Sequence, residues 1–240
     1  MADRFFYESP LTIGDAVLDG AEAHHLIHVL RAKPGLEVVL FDGSGGEFLA
    51  RVEKIERSAV RLNAYERRAV DRELPIRISL GVALPKGDRQ RWLVEKCTEL
   101  GVAELIPLET ARGVAKPSAT AIERLRRAVI EASKQCGRNR LMKIGEPRGW
   151  DDFTAAISME PPIRWAAHPG GISLHEALTS ASSGDAPQRN FVLAVRPEGG
   201  FTDPEIESAK TAGWTTIGLG ERLLRVETAA IALVAAVGLR

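Results

Sequence analysis

The first 70 residues alternate apolar and polar positions over short runs that end in turn residues. Three such runs occupy residues 36–41, 47–52 and 59–65, and the glycine-rich turn 42–46 follows the first of them. A two-residue period is typical of strands that bury one face. The pattern therefore predicts a small antiparallel β-barrel, interrupted by one helix over residues 21–31.

The pattern changes after a charged segment, residues 66–75, which ends in proline and is the predicted linker. Beyond it, apolar runs suited to buried strands alternate with stretches of helical period. This alternation predicts an α/β domain with a parallel sheet and helices on both faces. The predicted strands are 76–84, 104–108, 163–167, 191–195 and 215–219, and the predicted helices are 88–100, 119–135, 174–180, 203–212 and 227–237.

The change of pattern divides the chain into two predicted domains, residues 1–72 and 73–240. Apolar residues make up 45% and charged residues 27% of the 240-residue chain, as in ordinary water-soluble domains. No apolar run approaches the roughly 20 residues that span a membrane. The first residues lack the apolar core of a signal peptide, so a cytoplasmic protein without a membrane segment is expected. Cys97 and Cys136 are expected to be reduced thiols.

The formal net charge is zero, but the charge is unevenly distributed. Residues 73–145 carry 14 Lys and Arg against 8 Asp and Glu. A basic middle region suits an anionic polymer such as RNA, and a solvated helix face explains it equally well. The same two interpretations apply to the arginine-rich helix, with Arg124, Arg126, Arg127 and Lys134.

Two glycine-containing loops, residues 196–201 and 218–228, follow predicted strands. In open α/β sheets, ligands bind beyond the carboxyl ends of the strands, and glycine lets the backbone approach them closely. Neither loop has the G-x-G-x-x-G or G-K-[ST] pattern of phosphate-binding loops, and Glu198 would repel a phosphate. The expected ligand is therefore a nucleoside without phosphates. Thr202 and Glu205 form a predicted capping box that fixes the exit of the first loop.

The segments P-E-G-G-F (197–201) and L-G-E-R-L-L-R-V-E-T-A-A (219–230) resemble the C-terminal signature of SPOUT methyltransferases. More closely, the chain resembles the bacterial 16S rRNA uridine-N3 methyltransferase family. Further segments match that family in order along nearly the whole chain: H-L-I-H-V-L-R (25–31), F-D-G (41–43), K-C-T-E-L-G-V (96–102), E-A-S-K-Q-C-G-R (131–138) and A-H-P (167–169).

This resemblance implies a PUA-like β-barrel domain followed by a SPOUT α/β domain with a C-terminal trefoil knot. It also implies a homodimer that binds S-adenosyl-L-methionine through backbone groups of three loops and methylates 16S rRNA in the small ribosomal subunit. Neither the neutral adenosine nor the cationic sulfonium of this cofactor requires a lysine for binding, so the lack of a lysine in the two loops is compatible with it. The expected cofactor-binding residues are Ala167, His168, Pro169, Arg196, Pro197, Glu198, Gly199, Gly200, Leu219, Gly220, Leu224, Arg225, Glu227 and Thr228.

Methylation of uridine N3 requires loss of its proton and close placement of the base against the methyl group. The expected catalytic residues are Arg138 first, then Glu198 and Arg225. The expected RNA-binding residues are Arg4, His25, Arg31, Arg124, Arg127 and Arg138. No metal is expected, because the i, i+4 pair His24 and His28 lacks a third ligand.

The chain departs from the family pattern at two positions. Arg196 stands where the family has glycine, and Val226 stands where it has threonine. A cation next to a sulfonium is unfavourable unless it turns away or pairs with a carboxylate such as Glu198 or Glu227. Arg196 is expected to turn outward, with the backbone of Pro197 to Gly200 still shaped for the cofactor. Two alternatives stay open: a SPOUT enzyme that acts on another RNA, and a cofactor-free RNA-binding relative.

Overall fold

The computed structural model describes residues 3–112, 117–155, 162–182, 190–197 and 199–239. These residues form two compact units. The first comprises the chain up to Glu73 together with Ile130–Leu141, and the second comprises Leu74–Val129 and the chain from Met142 onward. Within the described ranges, no helix is both long and apolar enough to cross a membrane.

The first unit contains a five-stranded sheet in the order β1-β3-β4-β5-β2. Neighbouring strands are antiparallel except β1 and β3, which are parallel, so the antiparallel prediction is wrong for that pair. β5 also continues through Arg68, so the first three residues of the predicted linker belong to this sheet. The strands are β1 (Arg4–Phe6), β2 (Gly14–Leu18), β3 (Glu37–Phe41), β4 (Glu47–Ile55) and β5 (Val60–Arg68).

The core of this unit comes from the alternating apolar positions. In β5, Val60, Leu62 and Ala64 are at most 1% exposed, whereas Arg61 between them is exposed. Alternate side chains of a strand point to opposite faces, so this spacing places the apolar set on the buried side. Leu26 of the intervening helical segment packs into the same core.

The helix predicted over residues 21–31 is shorter and is not uniform. α1 spans Gly20–His24 and continues as a π-helical turn over His25–Val29. His24 and His28, four positions apart, have ring centroids 4.6 Å from each other. The segment ends at Arg31, whose φ of 50° lies in the left-handed region.

The second unit is an α/β layer structure, as predicted. Its sheet has the order β12-β10-β11-β6-β7-β8, with β9 also pairing with β7, and every pair is parallel. The trefoil knot stays a prediction. The strands are β6 (Ile78–Val82), β7 (Glu104–Glu109), β8 (Lys143–Ile144), β9 (Arg148–Gly149), β10 (Ile163–Ser173), β11 (Phe191–Val195) and β12 (Thr215–Gly218). The helices are α2 (Arg89–Glu99), α4 (Trp150–Thr154), α5 (Leu174–Ser182), α6 (Asp203–Thr211), α7 (Val226–Gly238) and the part of α3 (Ala119–Cys136) that precedes Ile130.

Helices cover both faces of this sheet. α7 packs on β6 and β11 and contacts α2, whereas α4 and α6 pack together and contact β7 and β12, respectively. The α4–α6 side holds an aromatic cluster in which Trp150 stacks on Phe201 at 4.2 Å between ring centroids. α2 ends where Gly101 adopts a φ of 83°, which places the glycine one position beyond the C-cap Leu100. Cys97 of α2 is fully buried, and burial raises the pKa of its thiol to about 12, so it is a packing residue.

β10 is longer than the predicted strand 163–167. The chain pairs with β12 up to Ala167, bulges, and pairs again from Ile172, which shares the partner Ile217 with Ala167. The second contact requires glycine at position 171, because a Cβ there would lie 2.4 Å from the carbonyl carbon of Thr216. This close backbone approach joins the segment after Ala167 to β12.

Candidate functional site

Three loops of the second unit meet at one open cleft of roughly 550 Å³. Two of them follow the carboxyl ends of β11 and β12, and the third is the bulge after Ala167 within β10, the strand between those two in the sheet. The lining residues are Ala167, His168, Pro169, Arg196, Pro197, Leu219, Gly220, Glu221, Arg222, Leu223, Leu224, Val226 and Ala229.

The β11 loop is held in a tight turn. The Gly200 amide donates to the Pro197 carbonyl oxygen at 2.9 Å, and Gly200 has a φ of 79°. The predicted capping box is confirmed, because Thr202 and Glu205 exchange side-chain and backbone hydrogen bonds at the start of α6. Phe201, buried on Trp150, anchors the exit of the loop. The turn is thus fixed on its carboxyl side before any ligand binds.

The β7 loop braces this turn from the other side. Arg112 donates from Nη1 to the Gly199 carbonyl oxygen at 2.8 Å, and the Ala111 amide donates to Glu205 Oε1 at 2.9 Å. Sequence reasoning missed both contacts. Arg112 lies in an irregular segment after a strand, where no periodicity marks it, and its partner is 87 positions away.

We expect Arg112→Ala to weaken binding of S-adenosylhomocysteine about fivefold, or about 1 kcal/mol, because it removes a hydrogen bond that orients the Gly199 carbonyl. Isothermal titration calorimetry measures this affinity. Arg91→Ala is the matched control, since Arg91 is an exposed arginine of α2 paired with Glu95. Equal affinities for the two variants would show that Arg112 does not position the turn.

The β12 loop forms the opposite wall. Gly220 has a φ of 96°, and no described atom lies within 4 Å of the position a Cβ would take, so the backbone faces open space. Leu223 is 83% exposed. The loop ends at Arg225, the exposed N-cap of α7, and Val226 returns to the cleft wall.

The charged groups at the cleft are arranged around His168. Burial is the largest cause that lowers the pKa of this imidazole, and the positive charges of Arg196 and Lys210 lower it further. The imidazole is therefore neutral at neutral pH. Its Nδ1 is buried without a hydrogen-bond partner among the described residues. A neutral imidazole therefore forms part of the cleft lining.

Arg196 is half-buried and does not extend freely into solvent. Its Nη1 lies 2.8 Å from the position a Gly200 Cβ would take, so the guanidinium folds back over the turn. Glu227, one of its expected partners, is instead 3.4 Å from Arg89. Pairing of Arg196 with Glu227 is therefore wrong, and Glu198 lies outside the described residues.

The predicted cofactor residues fall into two groups. Those on the cleft are Ala167, His168, Pro169, Arg196, Pro197, Leu219, Gly220 and Leu224. Gly199, Gly200, Arg225, Glu227 and Thr228 lie next to lining residues without lining the cleft themselves. Glu227 is 6% exposed, and its Oε2 has no described hydrogen-bond partner.

Two predicted RNA-binding residues of the first unit, Arg4 and Arg138, form buried ion pairs. Arg4 donates to Glu47 at 2.7 Å, and its guanidinium lies 4.9 Å from the centre of the Phe41 ring. Arg138, also the first catalytic candidate, is 4% exposed and forms two hydrogen bonds to the Glu73 carboxylate. As placed, neither presents a free guanidinium, because partners distant in sequence hold both. Contact of Arg138 with a uridine would require breaking its pair.

The other predicted RNA-binding residues are more accessible. Arg31, Arg124 and Arg127 are exposed, and Arg127 forms only a loose pair with Glu123 at 3.8 Å. His25 is half-buried, with its ring edge against Phe5 at 5.8 Å between centroids. The described residues contain no cluster of three or more His, Cys, Asp or Glu side chains placed to hold a metal.

The buried Glu47 gives a stability prediction for the first unit. We expect Glu47→Gln to lower the free energy of unfolding at pH 7 by about 1.5–3 kcal/mol, because it weakens charged hydrogen bonds to Arg4 and Arg72. Burial raises the pKa of Glu47, but the hydrogen bonds from Arg4 and Arg72 outweigh it and hold the pKa below 4.5. The stabilisation is therefore present above pH 4.5 and is lost as pH falls through the lowered pKa. Urea unfolding at pH 7 and at a series of lower pH values checks both statements, and a difference that persists unchanged throughout the acid range would contradict the second.

The comparison with known sequences decides the family. Residues 72–238 match the RNA methyltransferase domain family, and residues 18–64 match the RNA methyltransferase PUA domain family. The chain belongs to the RNA methyltransferase family. The predicted family and the predicted α/β fold with a PUA-like domain are thereby confirmed, whereas the knot stays a prediction.

Individual RNA methyltransferases resemble the chain over most of its length. The Synechocystis protein named Ribosomal RNA small subunit methyltransferase E is 33% identical over 88% of this chain and 69% of its own length. The Bacillus subtilis protein of the same name is 29% identical over 92% of this chain and 88% of its own. A crystal structure of the Neisseria gonorrhoeae protein of that name, bound to S-adenosyl methionine, superposes with a TM-score of 0.87 at 29% identity, covering 98% of this chain and 96% of the other.

Proposed function

We propose that this RNA methyltransferase transfers the methyl group of S-adenosyl-L-methionine to N3 of a uridine in 16S rRNA of the small ribosomal subunit. The observation that carries the proposal is the meeting of the β10 bulge with the loops after β11 and β12 in one cleft. The Neisseria gonorrhoeae relative with bound S-adenosyl methionine has the same overall fold. The names of the relatives support small-subunit rRNA as the substrate.

The cleft fits the proposed cofactor in shape and charge. Leu219, Leu224 and Val226 offer an apolar wall for an adenine ring, and the open side of Gly220 leaves room beside the backbone. The described lining carries two arginines, Arg196 and Arg222, whose guanidinium groups suit the carboxylate of the methionine moiety.

When bound, S-adenosyl-L-methionine supplies an electrophilic methyl group on a sulfonium. The residues of the chain must place uridine N3 against that methyl group and accept the N3 proton, directly or through water. Arg225, exposed at the N-cap of α7 beside the cleft wall, is placed to stabilise negative charge on the uracil oxygens. The neutral His168 imidazole also lines this cleft. Roles for Glu198 and Arg138 stay predictions.

We further propose that the enzyme acts as a cytoplasmic homodimer. α7 is apolar along its length but only partly covered, since Ile231, Ala232 and Ala235 are half-buried. Trp92 on the adjoining α2 is 45% exposed, and Leu239 after α7 is 72% exposed. A second copy covering this apolar surface would remove it from water.

The substrate is tested with purified small subunits and total tRNA from cells that lack this chain. Each RNA is incubated with the enzyme and isotope-labelled S-adenosyl-L-methionine, and its nucleosides are separated. We expect label in N3-methyluridine from small subunits only. Label in tRNA but not in small subunits would assign the enzyme to another RNA. Failure of the chain to bind S-adenosylhomocysteine in calorimetry would refute S-adenosyl-L-methionine as its cofactor.

A further inference from the structure

The helical segment of the first unit ends in an unusual backbone conformation. α1 widens into a π-helical turn over His25–Val29, and single π-helical turns occur frequently at functional sites. The chain then passes through Arg31, whose φ of 50° makes it the one non-glycine residue with a positive φ among the described residues. The proposed methyl transfer in the cleft of the second unit does not account for either feature.

Arg31 occupies a position at which glycine is the usual residue. It directly follows the C-cap Leu30, and helices commonly end there with a left-handed glycine. The Leu30 amide donates to the His25 carbonyl oxygen at 3.0 Å. The Ala32 amide donates to the Leu26 carbonyl oxygen at 2.9 Å, so the backbone is held on both sides of Arg31. The Cβ of an arginine is strained in this conformation, and strain that the fold maintains indicates that the side chain has a use.

The segment carries cations that no described carboxylate neutralises. Arg31 and Lys33 are exposed, and neither forms an ion pair with a described residue. Glu22, the carboxylate of α1, is hydrogen-bonded to Lys134 at 2.8 Å. Asp19 lies at the other end of α1, where it is the N-cap. The end of the segment therefore presents positive charge to solvent, which suits an anionic ligand.

An imidazole and apolar surface adjoins these cations. The side chains of Ala23 and Leu26 are buried in the core of the unit. Those of His24, His28 and Val29 are exposed, Val29 to 64%. The rings of His24 and His28 have tilted planes and centroids 4.6 Å apart. Exposed imidazole rings are a surface on which unstacked RNA bases stack, whereas a bare inorganic anion would gain nothing from them.

We propose that these exposed side chains form an RNA-binding surface, the π-helix surface, which consists of His24, His28, Val29, Arg31 and Lys33. It binds a single-stranded stretch of the RNA substrate, with phosphates at the two cations and a base against the imidazole rings. A single strand is favoured over a duplex, because the bases of a duplex are stacked on one another and cannot reach the rings. The inference rests on the proposed function, because the ligand is part of the RNA that the enzyme methylates.

Arg31→Gly separates RNA binding from a structural role of this residue. We expect the variant to keep or raise the wild-type midpoint of urea unfolding, because glycine adopts a positive φ without strain. Fluorescence anisotropy with labelled decauridylate measures RNA affinity at several salt concentrations. We expect Arg31→Gly to weaken binding about tenfold and to reduce the slope of log K against log salt by about 0.7, as for one lost contact to a single strand.

Arg61→Thr is the matched control for the loss of one positive charge. Arg61 is an exposed arginine of β5 that is paired with Glu56 at 2.9 Å, and threonine is well suited to a strand. We expect this control to change neither the RNA affinity nor its salt dependence. Wild-type RNA binding by Arg31→Gly, or an equal loss in the two variants, would overturn the proposal.

An abasic decamer, which keeps the sugar-phosphate backbone, tests the contact with a base. We expect the wild-type protein to bind it about tenfold more weakly than decauridylate, within the range for one stacked base. A variant that combines His24→Ala with His28→Ala should bind the two decamers equally, because it has no imidazole rings on this surface. Equal binding of the two decamers by the wild-type protein would overturn the base contact.

S-adenosylhomocysteine calorimetry on Arg31→Gly reports separately on the cleft. Wild-type affinity for this ligand, together with weakened RNA binding, supports the π-helix surface. A wild-type protein that binds decauridylate but not S-adenosylhomocysteine refutes only the proposed methyl transfer.

Discussion

Gly220→Val is expected to reduce the affinity for S-adenosylhomocysteine by roughly a hundredfold or more, equivalent to about 2.7 kcal/mol. Gly220 lines the cleft, and the space where its Cβ would stand contains no described atom within 4 Å. A branched side chain there would occupy the volume proposed for the cofactor. The φ of 96° also disfavours valine, so the loop itself would be strained. Isothermal titration calorimetry with purified protein measures the loss.

Gly213→Val separates the steric effect from the backbone strain. Gly213 also has a positive φ, 81°, and open space around its Cβ position, but it does not line the cleft. We expect this control to lose stability without losing affinity. If both variants lose affinity equally, the effect is strain transmitted through the fold, and the ligand does not lie against Gly220.

Gly171→Ala is expected to destabilise the second unit by about 3 kcal/mol or more, at the upper end for overpacking. Its Cβ would lie 2.4–2.6 Å from three backbone atoms of Thr216 and Ile217. Backbone cannot rotate away as a side chain can, so β10 and β12 would have to separate where they hold the cleft loops. Urea unfolding and S-adenosylhomocysteine affinity should both register this change.

The neighbouring glycine is the control for this prediction. Gly170 has a φ of 81° and no described atom within 4 Å of its Cβ position. Gly170→Ala should cost only the strain of a left-handed residue, about 1–2 kcal/mol. A Gly171→Ala variant as stable as Gly170→Ala would mean that the two strands approach less closely than described.

The regular elements could be predicted because their cause is local. The apolar spacing of 191–195 predicts β11 (Phe191–Val195), and Thr202 with Glu205 predicts the start of α6, and both are confirmed. Most helix ends lie within one or two residues of their predicted positions. The extension of β10 could not be predicted, since it depends on Gly171 meeting the backbone of a strand more than 40 positions away.

The site was predictable in part for the same reason. Glycine-containing loops that follow strands can be recognised in the sequence, and they indicate which edge of the sheet binds a ligand. Eight of the expected cofactor residues line the described cleft. The exposure of arginines was not predictable. Arg4 and Arg138 are buried because Glu47 and Glu73 compensate their charges, and only the fold brings these partners together. Arg112 acts on a loop 87 positions away, so no local pattern marks it.

The most direct measurement is mass spectrometry of nucleosides from 16S rRNA of cells with and without this chain. We expect one N3-methyluridine to be present in the parent strain, absent from the deletion strain, and restored by the wild-type chain but not by Gly220→Val. An unchanged level of N3-methyluridine in the deletion strain would contradict the proposed reaction.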